Sequence, residues 1–164
     1  MKSFLLQATT VWQAICLVAC ALLGGPLHAS MLDLDEYLQR AHASRQRGDW
    51  QSVASQMAQA VNHLDLPKTG DTRVKVLVGY AQAVGVLCQF DEASRYLQSA
   101  LALSVRNRAL QADVLDELGA LHQAQQQPAQ AADYLSQAAL VRQALPNAVP
   151  LLGRAPYGAR CPPR

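Results

Sequence analysis

The chain has 164 residues, of which 51% are apolar and only 5% aromatic, and Ala, Leu and Gln are abundant. This length suits one domain with a buried core, and the composition favours helices over a β-sandwich or barrel. The formal net charge is +2, so the overall charge gives no reason to expect binding to nucleic acid or to anionic lipid. The few arginines near the C-terminus are too weak a basic signal to change that expectation.

Residues 1–30 have the pattern of a secretory signal peptide. Lys2 supplies a positive charge, residues 11–23 are mostly apolar, and the small residues Ala29 and Ser30 offer a cleavage site. The apolar stretch is too short and too interrupted for a confident membrane span, and an uncleaved anchor stays open as an alternative. The sequence therefore predicts a periplasmic or secreted protein.

A second interpretation of the N-terminus concerns Cys20. The segment from Leu17 to Cys20 resembles a bacterial lipobox, in which the cysteine is acylated and becomes the mature N-terminus. The apolar run continues to Leu23, whereas lipoproteins usually become polar after the cysteine. Cys20 is thus a candidate lipidation site, and a lipoprotein signal ending there is the alternative to soluble export.

Soluble export would leave two cysteines, Cys88 and Cys161, in a compartment where disulfides are chemically permitted. They are a candidate disulfide that would tie the C-terminal region to the body of the domain. Equally, Cys88 is interpretable as a small buried residue and Cys161 as a free thiol. The sequence leaves this choice open because pairing depends on the separation of the two Cα atoms.

An internal repeat is visible between residues 31 and 145. Three segments align at positions that are 40 and 38 residues apart: Val53, Ala93 and Ala131. Seven residues later, each segment has an alanine: Ala60, Ala100 and Ala138. Recurrence at two linked positions predicts three copies of one structural unit, which must stack to bury a continuous core.

Each unit is predicted to contain two antiparallel helices. In the second unit, helix A is expected from Asp71 to Leu87 and helix B from Phe90 to Leu103, with a break too short for any other arrangement. The alanines allow the two helices to cross closely. Larger residues are expected to fill the gaps beside these crossings: Tyr37, Trp50, Leu77, Phe90, Leu115, Tyr134 and Leu135.

The boundaries of the units are predicted from turn residues. Residues 66–71 form a loop with a helix N-cap at Asp71, and the junction at 104–108 is placed only by the repeat. Pro146 ends the last helix. The remaining residues 146–164 contain five prolines and three arginines, so we predict a flexible tail.

The repeat resembles the tetratricopeptide repeat (TPR) family over residues 34–141. Helix A of that family carries a Leu-Gly or similar pair, matched at Leu118-Gly119 and Tyr80-Ala81 and half matched at Arg40-Ala41, and Gly48-Asp49-Trp50 matches its turn. The spacing exceeds the usual length of about 34 residues, so the units look like an extended variant. The resemblance implies an all-α, right-handed superhelix of about three hairpins, with other α-solenoid repeats as the alternative.

The same resemblance implies that a protein or peptide partner binds the concave face formed by the A helices. The positions expected on this face mix both charge signs with a few apolar residues: Asp35, Leu38, His42, Arg45, Lys75, Val78, Gln82, Asp113, Asp116, Ala120 and Gln123. They do not form the Lys/Asn clamp that some relatives use for a peptide carboxylate. The competing interpretation is that they are simply solvated helix faces.

The tail contains a short apolar segment that suggests a second interaction. Val149, Leu151 and Leu152 follow Pro146 closely. We expect this segment to fold back over the last hairpin or to dock on a partner, because an exposed end of a repeat stack needs a cover.

No motif predicts chemistry. The three histidines of the repeat region are isolated, so no metal site is expected, and there is no nucleotide-binding or hydrolase signature. Asp113, Asp116 and Glu117 form an acidic group that we expect to be solvated. The sequence therefore predicts no catalytic residue and no cofactor.

The function predicted from these patterns is an exported, non-enzymatic protein-binding module that does not bind nucleic acid. The alternative is a lipid-anchored outer-membrane assembly factor for pili or secretion machinery, which would contact the membrane only through its N-terminal anchor. The two differ mainly at Cys20. The sequence names neither the partner nor the oligomeric state.

Overall fold

The computed structural model describes residues 33–145, 149–159 and 161, and this part of the chain is all-helical, as predicted. Its six helices are α1 (Leu34–Gln46), α2 (Trp50–Val61), α3 (Asp71–Val86), α4 (Phe90–Leu103), α5 (Arg108–Ala124) and α6 (Pro128–Gln143). Each helix packs against the next, and α3 also contacts α5. The signal-peptide and lipidation predictions for residues 1–30 lie outside the described residues.

The helices form three hairpins, each closed by a three-residue connection whose middle residue has a left-handed backbone. These residues are Gly48 (φ 70°), Cys88 (φ 67°) and Gln126 (φ 60°). In each connection, the middle amide donates to the carbonyl three residues earlier, and the next amide to the carbonyl five residues earlier. This pattern satisfies the last carbonyls of each A helix. The repeat seen in the alanines is therefore also present in the backbone.

The alanines of the repeat lie where the helices cross. The early position of helix B is buried in all three units: Val53, Ala93 and Ala131. The later position is fully buried: Ala60, Ala100 and Ala138. The space is equally tight at Gly119, where an added Cβ would lie 2.7 Å from Leu135 Cγ. Larger side chains at these positions would hold the helix axes apart.

The start of α3 differs from the sequence prediction. Gly70 (φ 96°) occupies the cap position, and Asp71 is the first residue of the helix instead of its N-cap. An acidic residue is favourable in the first turn because of the helix dipole. The Asp71 carboxylate accepts a hydrogen bond (2.7 Å) from Asn107, whose own side chain caps α5 by accepting from the amide of Leu110.

The junction between the second and third hairpins is a short 3₁₀ turn, Ser104–Arg106. Ser104 is buried, and its hydroxyl donates to the Leu101 carbonyl. The predicted end of helix A in the second unit, Leu87, lies one residue beyond the end of α3 at Val86. Within the described residues, no helix has the length and apolar character needed to cross a membrane.

Candidate functional site

The A helices α1, α3 and α5 carry side chains that bind residues 149–159. We call the surface formed by these three helices the A-helix face and residues 151–157 the C-terminal segment. Predicted binding residues from all three helices contact this segment: Arg45 on α1, Gln82 on α3, and Asp113 and Asp116 on α5. Residues that the sequence analysis assigned to one binding face therefore contact the same segment. This segment belongs to the chain itself, whereas the sequence analysis expected a partner there.

Arg45 and Gln82 bind the main chain of the segment. The two side chains are joined by a hydrogen bond (2.6 Å) from Arg45 Nη1 to Gln82 Oε1. Gln82 Nε2 donates to the carbonyl of Gly153 (2.6 Å), and Arg45 Nη2 donates to the carbonyls of Gly153 and Arg154 (both 3.3 Å). The Arg45 guanidinium also lies 5.4 Å from the centre of the Trp50 ring, which fixes its position.

Asp113 binds the main chain at the start of the segment. Its side chain is 5% exposed, and Oδ2 accepts from the amides of Leu151 (2.6 Å) and Leu152 (3.0 Å). The other oxygen, Oδ1, accepts from Arg142 Nη2 (2.9 Å), and Arg142 also pairs with Asp116. We expected these acidic residues to be solvated. They are instead covered by an arginine of α6 and by the segment, whose contacts compensate their charge.

Tyr157 fills a slot between α3 and α5. Its hydroxyl donates to Glu117 Oε2 (2.6 Å), and Glu117 is 2% exposed. Gly85 makes room for the ring, because an added Cβ there would lie 2.6 Å from Tyr157 Cε1. Burial raises the pKa of Glu117, and burial together with the Glu117 charge raises the pKa of Tyr157. The sequence analysis did not find this pair, and no local motif marks it.

A disulfide joins the end of the tail to the α3–α4 connection. Cys88 and Cys161 have Cα atoms 5.6 Å apart and are separated by 73 residues in sequence. The structure thus has the paired form of the two alternatives that the sequence left open. Asp113 binds the start of the segment and the disulfide holds Cys161 beyond it, so the segment is held on both sides.

The described part of the tail folds back onto α5 of the last hairpin, one of the two arrangements that the sequence analysis expected, and it continues across α1 and α3. The flexibility expected for residues 146–164 stays a prediction. Residues 149–159 lie on the A-helix face, held by the polar contacts above. Val149 (76%) and Leu151 (49%) remain exposed, and Leu152 packs against the core. The two main-chain hydrogen bonds to Asp113 are a contact that the apolar pattern of the tail does not predict.

The remaining predicted binding residues are not brought together by the segment. Asp35, His42, Lys75 and Gln123 are exposed, and Leu38 and Ala120 are half-buried. Val78 is fully buried, so its predicted place on the binding surface is corrected. The reason is that α3 packs against three other helices and has little free surface.

Beside the covered part of the A-helix face, a groove between α1 and α3 is open. It contains adjoining pockets of about 170 Å³ and 160 Å³ that share Leu38 and Met57. Its other lining residues include apolar and basic side chains: Ala41, His42, Arg45, Val53, Thr72, Lys75, Val76 and Gly79. We call this the α1–α3 groove. Arg45 belongs both to the groove and to the site of the C-terminal segment.

Two of the described histidines, His63 and His122, contact aromatic rings, whereas His42 hydrogen bonds to Gln46. His122 stacks on Tyr134 with the ring centres 5.3 Å apart and hydrogen bonds to Gln127. His63 meets Tyr37 edge-on at 5.9 Å. Among residues 33–145, 149–159 and 161, no group of three or more His, Cys, Asp or Glu side chains is arranged to hold a metal ion.

No protein-family model, curated protein or solved structure matches this chain. The resemblance to tetratricopeptide repeats therefore rests on the residues quoted above. The function must be argued from the geometry of the A-helix face.

Proposed function

We propose that this chain is a non-enzymatic protein-binding module of the tetratricopeptide kind, which holds an extended peptide on a concave A-helix face. The observation that carries the proposal is the mode in which the face holds its own C-terminal segment. Two amides and two carbonyls of the segment, from Leu151 to Arg154, are bound by side chains of the A helices. Contacts to main-chain atoms can hold a non-helical peptide whatever its side chains are.

The α1–α3 groove is the surface proposed for the partner. Its floor is apolar, with Leu38, Met57 and Gly79, and its edge carries His42 and Lys75. Apolar centres with polar rims are typical of protein interfaces. Since Arg45 lines this groove and also binds the C-terminal segment, a partner peptide would lie beside the segment.

The proposed location is the periplasm or the exterior of the cell. The disulfide between Cys88 and Cys161 supports this, because such bonds persist in oxidising compartments. The alternative is a lipid-anchored assembly factor for pili or secretion machinery, attached through Cys20. Mass spectrometry of the mature N-terminus separates the two: an acylated Cys20 supports the anchored form, and cleavage near Ala29 supports soluble export.

The experiment that tests the proposal is crosslinking and affinity purification of the full chain from its native host. Lys75→Glu reverses a charge in the α1–α3 groove, and Arg95→Glu is the matched control on the exposed surface of α4. We expect one dominant partner that is lost with Lys75→Glu and retained with Arg95→Glu. Equal recovery with both variants, or no enriched partner from the folded wild-type chain, would contradict binding at this groove.

A further inference from the structure

The surface under the C-terminal segment is organised around buried carboxylates that need hydrogen-bond donors. Asp113 is 5% exposed, and one of its oxygens accepts two consecutive amides. Glu117 is 2% exposed and accepts from the Tyr157 hydroxyl. Buried acceptors that lose their donors are strongly unfavourable. In the closed chain these donors come from the main chain and from the Tyr157 side chain of the segment, so an occupant that replaces the segment must supply both kinds of donor.

The contacts also define which side chain the site selects. Those made by Asp113, Gln82 and Arg45 go to main-chain atoms and carry no information about sequence. In contrast, the hydroxyl of Tyr157 reaches Glu117, and its ring lies against Gly85 in a slot without room for a Cβ. A tyrosine five residues after the second bound amide is thus the recognised feature.

The disulfide keeps the chain's own segment in this site. Cys161 follows the segment and is joined to Cys88 in the α3–α4 connection, and both cysteines are half-buried, so that solvent reaches this part of the molecule. While this bond is closed, Cys161 stays next to the α3–α4 connection, and the segment before it stays tethered close to the A-helix face. Opening it would leave only the hydrogen bonds and the tyrosine to hold the segment.

We propose that this site is a tyrosine-peptide site with a redox-controlled occupant. The chain's own segment fills it while the disulfide is closed, and a tyrosine-bearing extended segment of another protein replaces it after reduction. This inference rests on the proposed function, because it names the peptide chemistry and the control of the same A-helix face.

The opening step is a thiol–disulfide exchange with a dithiol reductant. One thiolate of the reductant attacks the sulfur of Cys161, and Cys88 leaves as a thiolate and takes up a proton. The second thiol of the reductant then attacks the mixed disulfide and releases Cys161 as a thiol. The protein gains two electrons and two protons, and the reductant becomes a disulfide.

The tethered segment competes with any added peptide at an effective concentration in the millimolar range. The binding of this segment to its own site must therefore be weakened in the receptor. The receptor is the full chain carrying Cys161→Ser and Tyr157→Ala, and the closed comparison is the oxidised wild-type chain. The probe is a fluorescent peptide with the sequence of residues 149–159. A second probe carries Tyr157→Phe, and binding is measured by fluorescence anisotropy.

We expect the opened receptor to bind the probe at least about tenfold more tightly than the oxidised chain does, because its site is free. The Tyr157→Phe probe should bind about tenfold more weakly than the tyrosine probe, because Glu117 loses its donor. If the receptor loses its helical circular dichroism, Cys161→Ser alone replaces it. The tyrosine probe must then compete with the tethered segment more effectively than the phenylalanine probe.

Three results would overturn the inference. The first is equal probe affinity for the oxidised and opened chains, and the second is no binding to a folded opened chain. The third is a dimer of the opened chain that forms with increasing concentration and that the probe dissociates. The site would then bind the segment of a second copy of this chain. Loss of a partner with Lys75→Glu would still support the proposed function if any of these three results were obtained. The proposed function and this inference can therefore fail separately.

Discussion

The two halves of the A-helix face contrast in what covers them. The α1–α3 groove has an apolar floor and is open, whereas the half formed by α3 and α5 carries buried carboxylates under the C-terminal segment. Both halves are made of repeat helices, so the difference comes from individual side chains. Acidic residues on α5 accept hydrogen bonds, and the main chain and Tyr157 of the segment supply the donors. The helical repeat thus presents two different surfaces, an open groove and a face covered by the chain's own segment.

The largest expected effect comes from opening the disulfide. The segment could then leave the half formed by α3 and α5, and this half would be uncovered like the α1–α3 groove. Cys161→Ser removes a cross-link between residues 73 apart and should lower the free energy of unfolding by roughly 4 kcal/mol in the chain-entropy model. Cys88→Gly should be less harmful by about 1 kcal/mol, because it also relieves the left-handed backbone at φ 67°. Urea unfolding of both variants measures this. Equal stability of Cys161→Ser and the wild-type chain would contradict the disulfide as a constraint.

The next largest effect is expected at the carboxylate that binds two amides of the segment. Asp113→Asn should destabilise the chain by about 2–3 kcal/mol, because it weakens both main-chain contacts and the pairing with Arg142. Asp116→Asn is the matched control, since this carboxylate is more exposed than Asp113 and pairs with Arg142 and Arg154. Thermal unfolding compares the two. A loss for Asp116→Asn as large as that for Asp113→Asn would contradict a stabilising role for the two main-chain amides that only Asp113 of this pair binds.

A pair of glycines on α3 separates the two halves directly. Gly85→Ala pushes a Cβ into the Tyr157 ring, whereas at Gly79 the added Cβ meets the flexible end of Met57. We expect Gly85→Ala to cost about 1–2 kcal/mol from overpacking. Gly79→Ala should be neutral or stabilising by up to about 1 kcal/mol, since alanine favours the helix. Calorimetry of the two variants makes the comparison, and equal effects would argue against a tyrosine seated at Gly85.

The smallest effect is expected in the pH dependence of stability. The pKa of Glu117 is raised by burial, so the folded chain binds more protons than the unfolded chain above the ordinary value of 4.5. The contribution of this group is fully present below pH 4.5 and is lost as the pH rises through the folded pKa. The charged and titratable groups acting on it are Tyr157, Arg45 and Arg154.

Glu117→Gln removes this dependence while keeping an oxygen that can accept from Tyr157. Between neutral pH and pH 4.5, the wild-type chain should therefore gain stability relative to the variant as the pH falls. Melting temperatures of both chains across this range measure the difference. Parallel curves would indicate that Glu117 is not buried under the segment.

Local features of the fold were predictable from the sequence, because the repeat pattern depends on residues that are close to one another in the chain. The buried alanines and the three-residue connections follow from short-range spacing, and α4 matches its predicted bounds from Phe90 to Leu103. The cap at Gly70 was missed because Asp71 is equally favourable as a first-turn residue. The burial of Val78 depends on how many helices surround α3. The sequence pattern of a single unit gives no information about that number.

The candidate site was predictable only in part. The helical positions of Arg45, Gln82 and Asp113 placed them on one face, but their actual occupant comes from a segment up to 109 residues away. The pairing of Tyr157 with Glu117 depends on the path of the chain across two helices, and no spacing rule encodes it. The pairing of the cysteines likewise depends on a three-dimensional distance.

The most direct test of the account is amide hydrogen exchange at Leu151 and Leu152, whose N–H groups bind Asp113 in the structure. The account predicts that both amides are protected in the oxidised chain, and that protection falls after reduction of the disulfide between Cys88 and Cys161. Exchange of both amides at the rate of an unstructured peptide in the oxidised, folded chain would contradict the claim that the A-helix face binds the C-terminal segment.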